Sequence, residues 1–417
     1  MMLCTKNNVV ILCLIACCAC GFAQEPEGIF LKDKKKGCTV WLKHTFTEDS
    51  ATWNGGCKNN FAEGYGTIVG FTKGNQTLKY VGEVTQGKPN GKGILTFGNN
   101  RKLEGNFLNG EPLFLNEVCL THLHKNVVSE TDSSGIYYGD NNKTQLYYHA
   151  LVPGGQIAGV LVLMPGTWQT TEHLLSSTQA LCELAYQNNL AVIVPSINQR
   201  ITLTNEIVEL LNTIFTHAIK TYHLPKHKFV MGGWSMGGIF SMRYTQMAKQ
   251  DSLKTVVNPV AVFNCDGPCD LKNVYHNFKR KLNKNLGQNE PAYGIYELEK
   301  HCGGTPATAP GKYSYYSPYS HSEEKGGNAQ YLITVPVRIY ADVDPEWWMQ
   351  NRNVDMYDLN ALDQTAMIQL LKDMGNSRAE FINAYQKGVR LEGNRHPHSW
   401  SIVEPHDCIR WMLGFIK

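Results

Sequence analysis

The residues with the clearest capacity for chemistry lie in the run VMGGWSMGG at positions 230–238. Ser235 stands between Gly233 and Gly237 in a G-x-S-x-G pattern, after a short apolar run and before apolar residues at helical spacing. Such a serine occupies a strained turn between a strand and a helix, where small neighbours permit tight packing and the hydroxyl is exposed. The sequence therefore predicts a nucleophilic Ser235, and a purely structural Gly-Ser turn is the alternative.

A serine hydroxyl is a weak nucleophile near neutral pH, so it needs a histidine base and a carboxylate that orients the histidine. With this turn, the chain order is expected to be serine, then acid, then base. The apolar run 335–340 predicts a strand, and two aspartates follow it. We expect Asp344 to be the acid because it has left the predicted strand, with Asp342 as the alternative.

Three histidines close to the C-terminus are candidates for the base. His398 is preferred because it precedes a predicted amphipathic helix that ends the chain. His396 and His406 are its rivals, and each of the three has a plain surface or capping role as the alternative.

Attack by serine on a carbonyl also requires hydrogen-bond donors for the oxyanion that forms. One expected donor is the backbone N–H of Met236, directly after the nucleophile. The other is expected in the loop 165–168, with Thr167 N–H as the first choice.

Five of the eight tryptophans adjoin these segments. Burial in the core is their usual role. Their positions also favour an aromatic pocket for an apolar acyl group, an aromatic acid or the face of a sugar. These residues are Trp168, Trp234, Trp347, Trp348 and Trp400.

The back of the chain alternates between apolar runs of strand length and segments of helical periodicity. Strands are predicted at 136–138, 145–150, 160–164, 191–194, 260–263 and 335–340, and helices at 172–188 and 205–222. This alternation predicts an α/β domain over residues 133–417 with a doubly wound, mostly parallel sheet. Residues 270–332 interrupt the pattern and form either a lid over the site or a surface excursion.

Residues 133–417 resemble the α/β-hydrolase superfamily, and the run GWSMGG is similar to the turns of its esterase, dienelactone-hydrolase and prolyl-peptidase-like branches. The resemblance implies a triad of Ser235, Asp344 and His398, hydrolysis of a carboxylic ester through an acyl-serine, and no metal or organic cofactor. A peptidase with the same triad is the nearby alternative. Pro165-Gly166 departs from the family's usual His-Gly oxyanion motif, which leaves the second donor open.

The front of the chain instead has glycines at repeating intervals. Between residues 38 and 115, three segments share an aromatic or apolar residue followed by glycines at similar offsets, a pattern that predicts repeated hairpins. The segments resemble MORN repeats, so residues 24–120 are expected to form an all-β spacer or docking module that small-ester hydrolysis can dispense with. Association with a membrane or cell envelope is a possible role, and a non-catalytic MORN-containing binding protein on a hydrolase fold is the alternative function. A Cys38–Cys57 disulfide is expected to pin the module's open end.

Residues 1–23 have the features of an export signal: a basic residue, a short apolar core and small residues before the cleavage point. The protein is therefore expected to be periplasmic or secreted, with a lipoprotein anchored at Cys17 as the alternative. The formal net charge of +3 is too small to indicate nucleic acid as a partner. The expected partner is a small-molecule or polymer-linked ester.

Overall fold

The computed structural model describes residues 28–43, 48–129, 137, 145–286 and 289–416. The predicted export signal, with Cys17, lies outside these residues, as does most of the strand predicted at 136–138. Within the described residues, no helix combines the length and apolarity needed to cross a membrane.

The front of the chain forms a nine-stranded sheet. Its path runs β1-β2-β5-β6-β7-β8-β9, with β3 and β4 paired to β5, and only β2 and β5 pair in parallel. The strands are β1 Gly28–Lys32, β2 Thr39–Lys43, β3 Ser50–Trp53, β4 Gly56–Lys58, β5 Phe61–Thr72, β6 Asn75–Thr85, β7 Lys88–Phe97, β8 Lys102–Leu108 and β9 Glu111–Leu113. Cys38 and Cys57 form a disulfide.

Four glycines of this sheet form a row across β5 to β8, because Gly66 pairs with Gly82, Gly82 with Gly93 and Gly93 with Gly105. A Cβ atom on Gly93 would lie 2.3 Å from the Tyr80 hydroxyl oxygen. These glycines make room for aromatic rings on the sheet surface, so they do more than form the turns expected of them.

The back of the chain forms an eight-stranded sheet in the order β10-β11-β13-β12-β14-β15-β16-β17. The two pairings that involve β11 are antiparallel and the others are parallel. The strands are β10 Leu123–Ser129, β11 Leu146–Leu151, β12 Gly159–Met164, β13 Leu190–Pro195, β14 Phe229–Trp234, β15 Ala261–Cys265, β16 Val337–Ala341 and β17 Ala379–Asn383. β10 thus belongs to this sheet although it precedes residue 133.

Helices cover both faces of the second sheet. Alternate residues of its strands are therefore buried in two different cores, one on each face. Helices α4, α5 and α10 pack on one face, and α2, α3 and α11 on the other. The helices are α1 Glu117–Thr121, α2 Thr171–Ser177, α3 Gln179–Gln187, α4 Asn205–Tyr222, α5 Met236–Gln250, α6 Leu271–Asn283, α7 Asn289–Cys302, α8 Pro310–Tyr316, α9 Pro345–Arg352, α10 Ala361–Asp373 and α11 Pro405–Leu413. Short 3₁₀ segments span Glu324–Leu332, Met356–Asp358 and Trp400–Ile402.

The register of the central strands brings three chain segments to one edge of the sheet. β14 lies between β12 and β15, with Met164 opposite Gly233 and Trp234 opposite Cys265. Because these strands are parallel, the loops that follow them emerge side by side.

Candidate active site

Ser235 occupies a sharp turn between β14 and α5, with φ 56° and ψ −124°. A Cβ atom on Gly233 would lie 2.1 Å from Gly237 O, and one on Gly237 would lie 2.2 Å from Met164 O, so both positions require glycine. The serine hydroxyl does not cap its own helix and makes no hydrogen bond to any described residue. The side chain is therefore available to a ligand, in a strained conformation typical of functional turns.

His398 pairs with Asp266, because its Nδ1 lies 2.6 Å from Asp266 Oδ2. Asp266 directly follows β15, next to the nucleophile turn, since Ser235 N donates to Cys265 O at 3.0 Å. With the carboxylate accepting from Nδ1–H, Nε2 of the imidazole is left to exchange a proton with a hydroxyl.

Two amide side chains hold the backbone around Asp266. Asn264 Oδ1 accepts from Gly267 N at 2.6 Å, and its Nδ2 donates to Gly267 O at 2.9 Å. Asn360 Nδ2 donates to Asp266 O at 2.7 Å. These bonds fix a residue whose φ of 49° is unusual outside glycine.

The predicted acid, Asp344, does not contact His398. Its Oδ1 accepts from Trp347 N at 3.0 Å and caps α9, while its Oδ2 lies 3.0 Å from Arg395 Nη2. The alternative, Asp342, is also paired with Arg395, at 2.9 Å. Both aspartates follow β16, whereas the carboxylate that contacts His398 follows the neighbouring strand, β15.

The rival histidines have other surroundings. His396 accepts a hydrogen bond at Nδ1 from His398 N at 3.2 Å, and burial lowers its pKa to about 2, with Arg390 and His398 adding to the effect. It lines the same cavity as Ser235 but stays neutral. His406 lies in the first turn of α11 and is absent from the cavity lining.

The expected oxyanion donors lie on either side of the nucleophile. Met236 is the first residue of α5, where a backbone N–H has no partner within the helix. Thr167 N donates to no described residue, and Thr167 lines the cavity with Ser235. Gly166 is needed here because a Cβ atom would lie 2.4 Å from the Trp234 ring. Thr167 as an oxyanion donor therefore stays a prediction, and its N–H lies in the loop that borders the cavity.

Ser235, Asp266 and His398 line one cavity of about 860 Å³. Trp168, Trp234 and Trp348 are in its wall, whereas Trp347 and Trp400 are not. Trp347 makes an edge-to-face contact with His396, and the buried Trp400 donates from Nε1 to Gln169 Oε1 at 3.2 Å. The pocket role predicted for these two tryptophans is therefore not supported.

Helices α6 and α7, which belong to the 270–332 segment, supply one wall of the cavity through side chains such as Val274, Phe278 and Pro291. The Trp234 ring faces His398, with ring centroids 4.8 Å apart. Among the described residues, no group of three or more His, Cys, Asp or Glu side chains is arranged to hold a metal ion.

Sequence reasoning missed Asp266 although the chain carries a signal for it. The predicted strand 260–263 is followed by Asn264-Cys265-Asp266-Gly267, an acidic residue and a turn-forming glycine at a strand end. This is the same type of signal that favoured Asp344. Cys265 and Cys269, a close pair in sequence, are both buried free thiols.

A scan against protein-family models finds no match, and a search of curated proteins finds none either. Among solved structures, the chain is similar to a ferulic acid esterase, at 13% identity and TM-score 0.43, over 70% of this chain and 97% of that one. It is also similar to an S-formylglutathione hydrolase from Agrobacterium tumefaciens, at 11% identity and TM-score 0.43, over 71% of this chain and 95% of that one. A third is a fungal esterase from Rhizomucor miehei, at 11% identity and TM-score 0.46, over 70% of this chain and 84% of that one.

These identities and TM-scores are too low to carry an argument about function. The topology of the second sheet is a separate observation. A mostly parallel sheet with helices on both faces, a G-x-S-x-G turn after a central strand and a histidine near the C-terminus fit an α/β-hydrolase-like fold.

Proposed function

We propose that this protein is a serine hydrolase that cleaves a carboxylic ester through an acyl-serine intermediate, with Ser235 as nucleophile, His398 as base and Asp266 as the orienting acid. The observation that carries the proposal is the Asp266–His398 pair at the sheet edge where Ser235 occupies its strained turn. The preferred acid in this proposal is Asp266 rather than Asp344.

In this mechanism His398 Nε2 accepts the proton of the Ser235 hydroxyl as Oγ attacks the ester carbonyl carbon. Met236 N–H and Thr167 N–H donate to the oxyanion of the tetrahedral intermediate. Collapse of the intermediate expels the alcohol, which takes the proton from His398. Water, activated by the same histidine, then attacks the acyl-serine, releases the acid and restores Ser235.

Replacing Ser235 by alanine tests the proposal. We expect Ser235→Ala to lower kcat for p-nitrophenyl acetate by about four orders of magnitude or more, since loss of a triad nucleophile removes covalent catalysis. Ser252→Ala, at an exposed site, is the matched control and should retain wild-type turnover. Equal turnover by Ser235→Ala and the wild-type protein would refute the proposal. A p-nitroanilide with the same acetyl group, assayed alongside, tests the peptidase alternative.

We also propose that the protein is exported. The Cys38–Cys57 disulfide supports this, because disulfides persist chiefly in oxidising compartments. The pattern of residues 1–23 is the other support, with a lipid anchor at Cys17 as the alternative. Mass spectrometry of the N-terminus after expression with a secretion system distinguishes the two mature forms.

The consecutive hairpins of β5 to β8 and their row of glycines support a further proposal, that the front sheet is built from MORN-like repeats. Membrane or cell-envelope association through this sheet belongs to the same proposal. Vesicle co-sedimentation of the full-length protein tests it, and equal recovery in the supernatant with and without vesicles would count against it.

A further inference from the structure

The wall of the candidate active-site cavity contains three cationic side chains as well as four carboxylates. Arg390, Arg352 and Lys281 line it, and none of them forms an ion pair within 4.0 Å with any described residue. The acidic side chains in the same wall are engaged elsewhere, except for the exposed Glu290. The engaged pairs are Asp266 with His398, Asp342 with Arg395, and Asp358 with Arg280.

Arg390 packs against an aromatic ring of the candidate site. Its guanidinium carbon lies 5.1 Å from the centre of the Trp234 ring, and that ring also faces His398. Trp234 directly precedes Ser235, and its indole packs against both the Arg390 guanidinium and the His398 ring. An anion bound to Arg390 would therefore lie close to the bond that is cleaved.

No described carboxylate lies within 4.0 Å of the Arg390 guanidinium. Partial burial lowers the pKa of its guanidinium, Glu392 and Glu290 raise it from a distance, and the like charge of Arg352 lowers it. By contrast, Arg395 on the same loop is held by two carboxylates at 2.9 and 3.0 Å. A half-buried arginine without a carboxylate partner is costly, and a substrate anion would remove that cost.

We propose that Arg390, assisted by Arg352, binds an oxyanion of the substrate, so that the preferred ester carries a carboxylate or phosphate group beside the bond cleaved at Ser235. The inference rests on the proposed hydrolase function and narrows its substrate class. Arginine suits this role because its planar donors match both carboxylate and phosphate oxygens. The aromatic rings of Trp168 and Trp348 are then left for the uncharged part of the substrate.

Two esters that differ only in charge test the inference: the 4-nitrophenyl monoester of glutaric acid, with a free carboxylate, and its methyl ester. We expect the wild-type protein to have a kcat/KM about tenfold or more higher for the charged ester, mainly through KM. Arg390→Gln should lower this ratio by about tenfold, to near one, as expected for loss of a charge-assisted hydrogen bond. Arg390→Lys should restore part of the ratio, and Arg410→Gln, an exposed arginine outside the cavity, should leave it unchanged.

Competitive inhibition distinguishes the two sources of the anion. Glutarate and inorganic phosphate are each tested against the methyl ester, and the stronger inhibitor identifies the preferred group. The charge preference should also weaken as ionic strength rises.

The outcomes separate the inference from the function on which it rests. Equal kcat/KM for the two esters in the wild-type protein, or an equal loss on both in Arg390→Gln, would overturn the oxyanion subsite and leave the hydrolase standing. No hydrolysis of either ester by the wild-type protein would overturn both.

Discussion

Three residues around the candidate site adopt left-handed backbone conformations. The φ angles are 59° for Trp168, 56° for Ser235 and 49° for Asp266. Each follows a different strand, and the three strands are neighbours in the sheet. Such conformations are costly outside glycine and persist only where surrounding contacts determine them, as the amide of Asn264 does for the Asp266 turn. The strain is therefore concentrated where the proposed chemistry takes place.

Replacement of the two candidate acids by asparagine should affect kcat to different extents. Asp266→Asn should lower kcat by about three to four orders of magnitude, because an amide in this position holds His398 in the wrong tautomer. Asp344→Asn should lower kcat by about tenfold or less, because Asp344 caps α9 and pairs with Arg395. It should instead lower the melting temperature, because asparagine keeps the helix cap but loses the ion pair with Arg395.

Both variants are assayed on p-nitrophenyl acetate near neutral pH, with thermal unfolding recorded for each. The reverse ranking of kcat would return the catalytic acid to Asp344.

The buried His396 should make the free energy of unfolding depend on pH. Its lowered pKa, about 2, means that the folded protein leaves it neutral while the unfolded chain protonates it near pH 6.5. The free energy of unfolding should therefore fall as pH decreases below about 6.5, because the unfolded state binds the extra proton. Urea unfolding at pH 7.5 and 5.5 should show a fall about 1 kcal/mol smaller in His396→Gln than in the wild-type protein. An identical fall in both would contradict the assignment.

At the scale of elements, the loop between β17 and α11 carries the proposed base and contacts the front sheet. Leu391 and Glu392 line a small cavity together with front-sheet residues such as Tyr80 and Phe107. Asn99 Nδ2 donates to Glu392 O at 3.4 Å. The same loop is tied to the second sheet, since Gly388 N donates to Asp342 Oδ2 at 2.7 Å. The front sheet therefore helps to hold the segment that positions His398.

Leu391→Ala tests this positioning role. Loss of the contact should let the loop shift, so kcat for p-nitrophenyl acetate should fall by up to about tenfold with a smaller change in KM, because misplacement of a base weakens the chemical step. Leu253→Ala, at a leucine that is 94% exposed, is the matched control. Equal kinetic constants for Leu391→Ala and the control would show that the contact has no influence on the site.

The sequence predicted elements well where the local pattern is strong. Continuous apolar runs at 160–164 and 191–194 coincide with β12 and β13, and the periodic segment 205–222 coincides with α4. β10 was missed because an edge strand such as LHKNVVS carries polar residues and has no apolar run. The helix predicted over 172–188 is divided at Thr178 into α2 and α3.

The site was predicted in part for a related reason. The prediction of Ser235 rests on a turn motif that is local in sequence, so it needs no knowledge of the fold. The carboxylate partner of His398 depends on which strand ends beside the loop between β17 and α11. The order of strands in the sheet decides this, and it cannot be read from a local pattern. Asp266 and Asp344 both follow strands, and only the position of β15 next to β14 separates them.

At the scale of the whole molecule, the front sheet is integrated with the back domain. Leu113, Leu115 and Cys119 are buried in the core that also contains α2, α3 and α11. Phe114 N donates to Gln179 Oε1 at 3.0 Å. The contacts between the front sheet and the back domain therefore extend from the core of the second sheet to the loop between β17 and α11.

These contacts change the expectation that residues 24–120 are dispensable. Their deletion removes three buried side chains from the second core, and losses of this kind each cost about 2–5 kcal/mol. The truncated chain should therefore unfold at a lower temperature, by circular dichroism, and hydrolyse p-nitrophenyl acetate more slowly than the full chain. A truncated protein with wild-type stability and turnover would restore the front sheet to a purely peripheral role.

We propose that Ser235 is a nucleophile activated by His398 and Asp266. Incubation of the full chain with a fluorophosphonate, followed by peptide mass spectrometry, tests it most directly. We expect one phosphonyl adduct on the peptide containing Ser235. It should form much more slowly in Asp266→Asn and His398→Ala and be absent in Ser235→Ala. Adduct formation at the wild-type rate in Asp266→Asn would contradict the role of Asp266. The absence of an adduct on Ser235 in the wild-type protein would contradict its role as nucleophile.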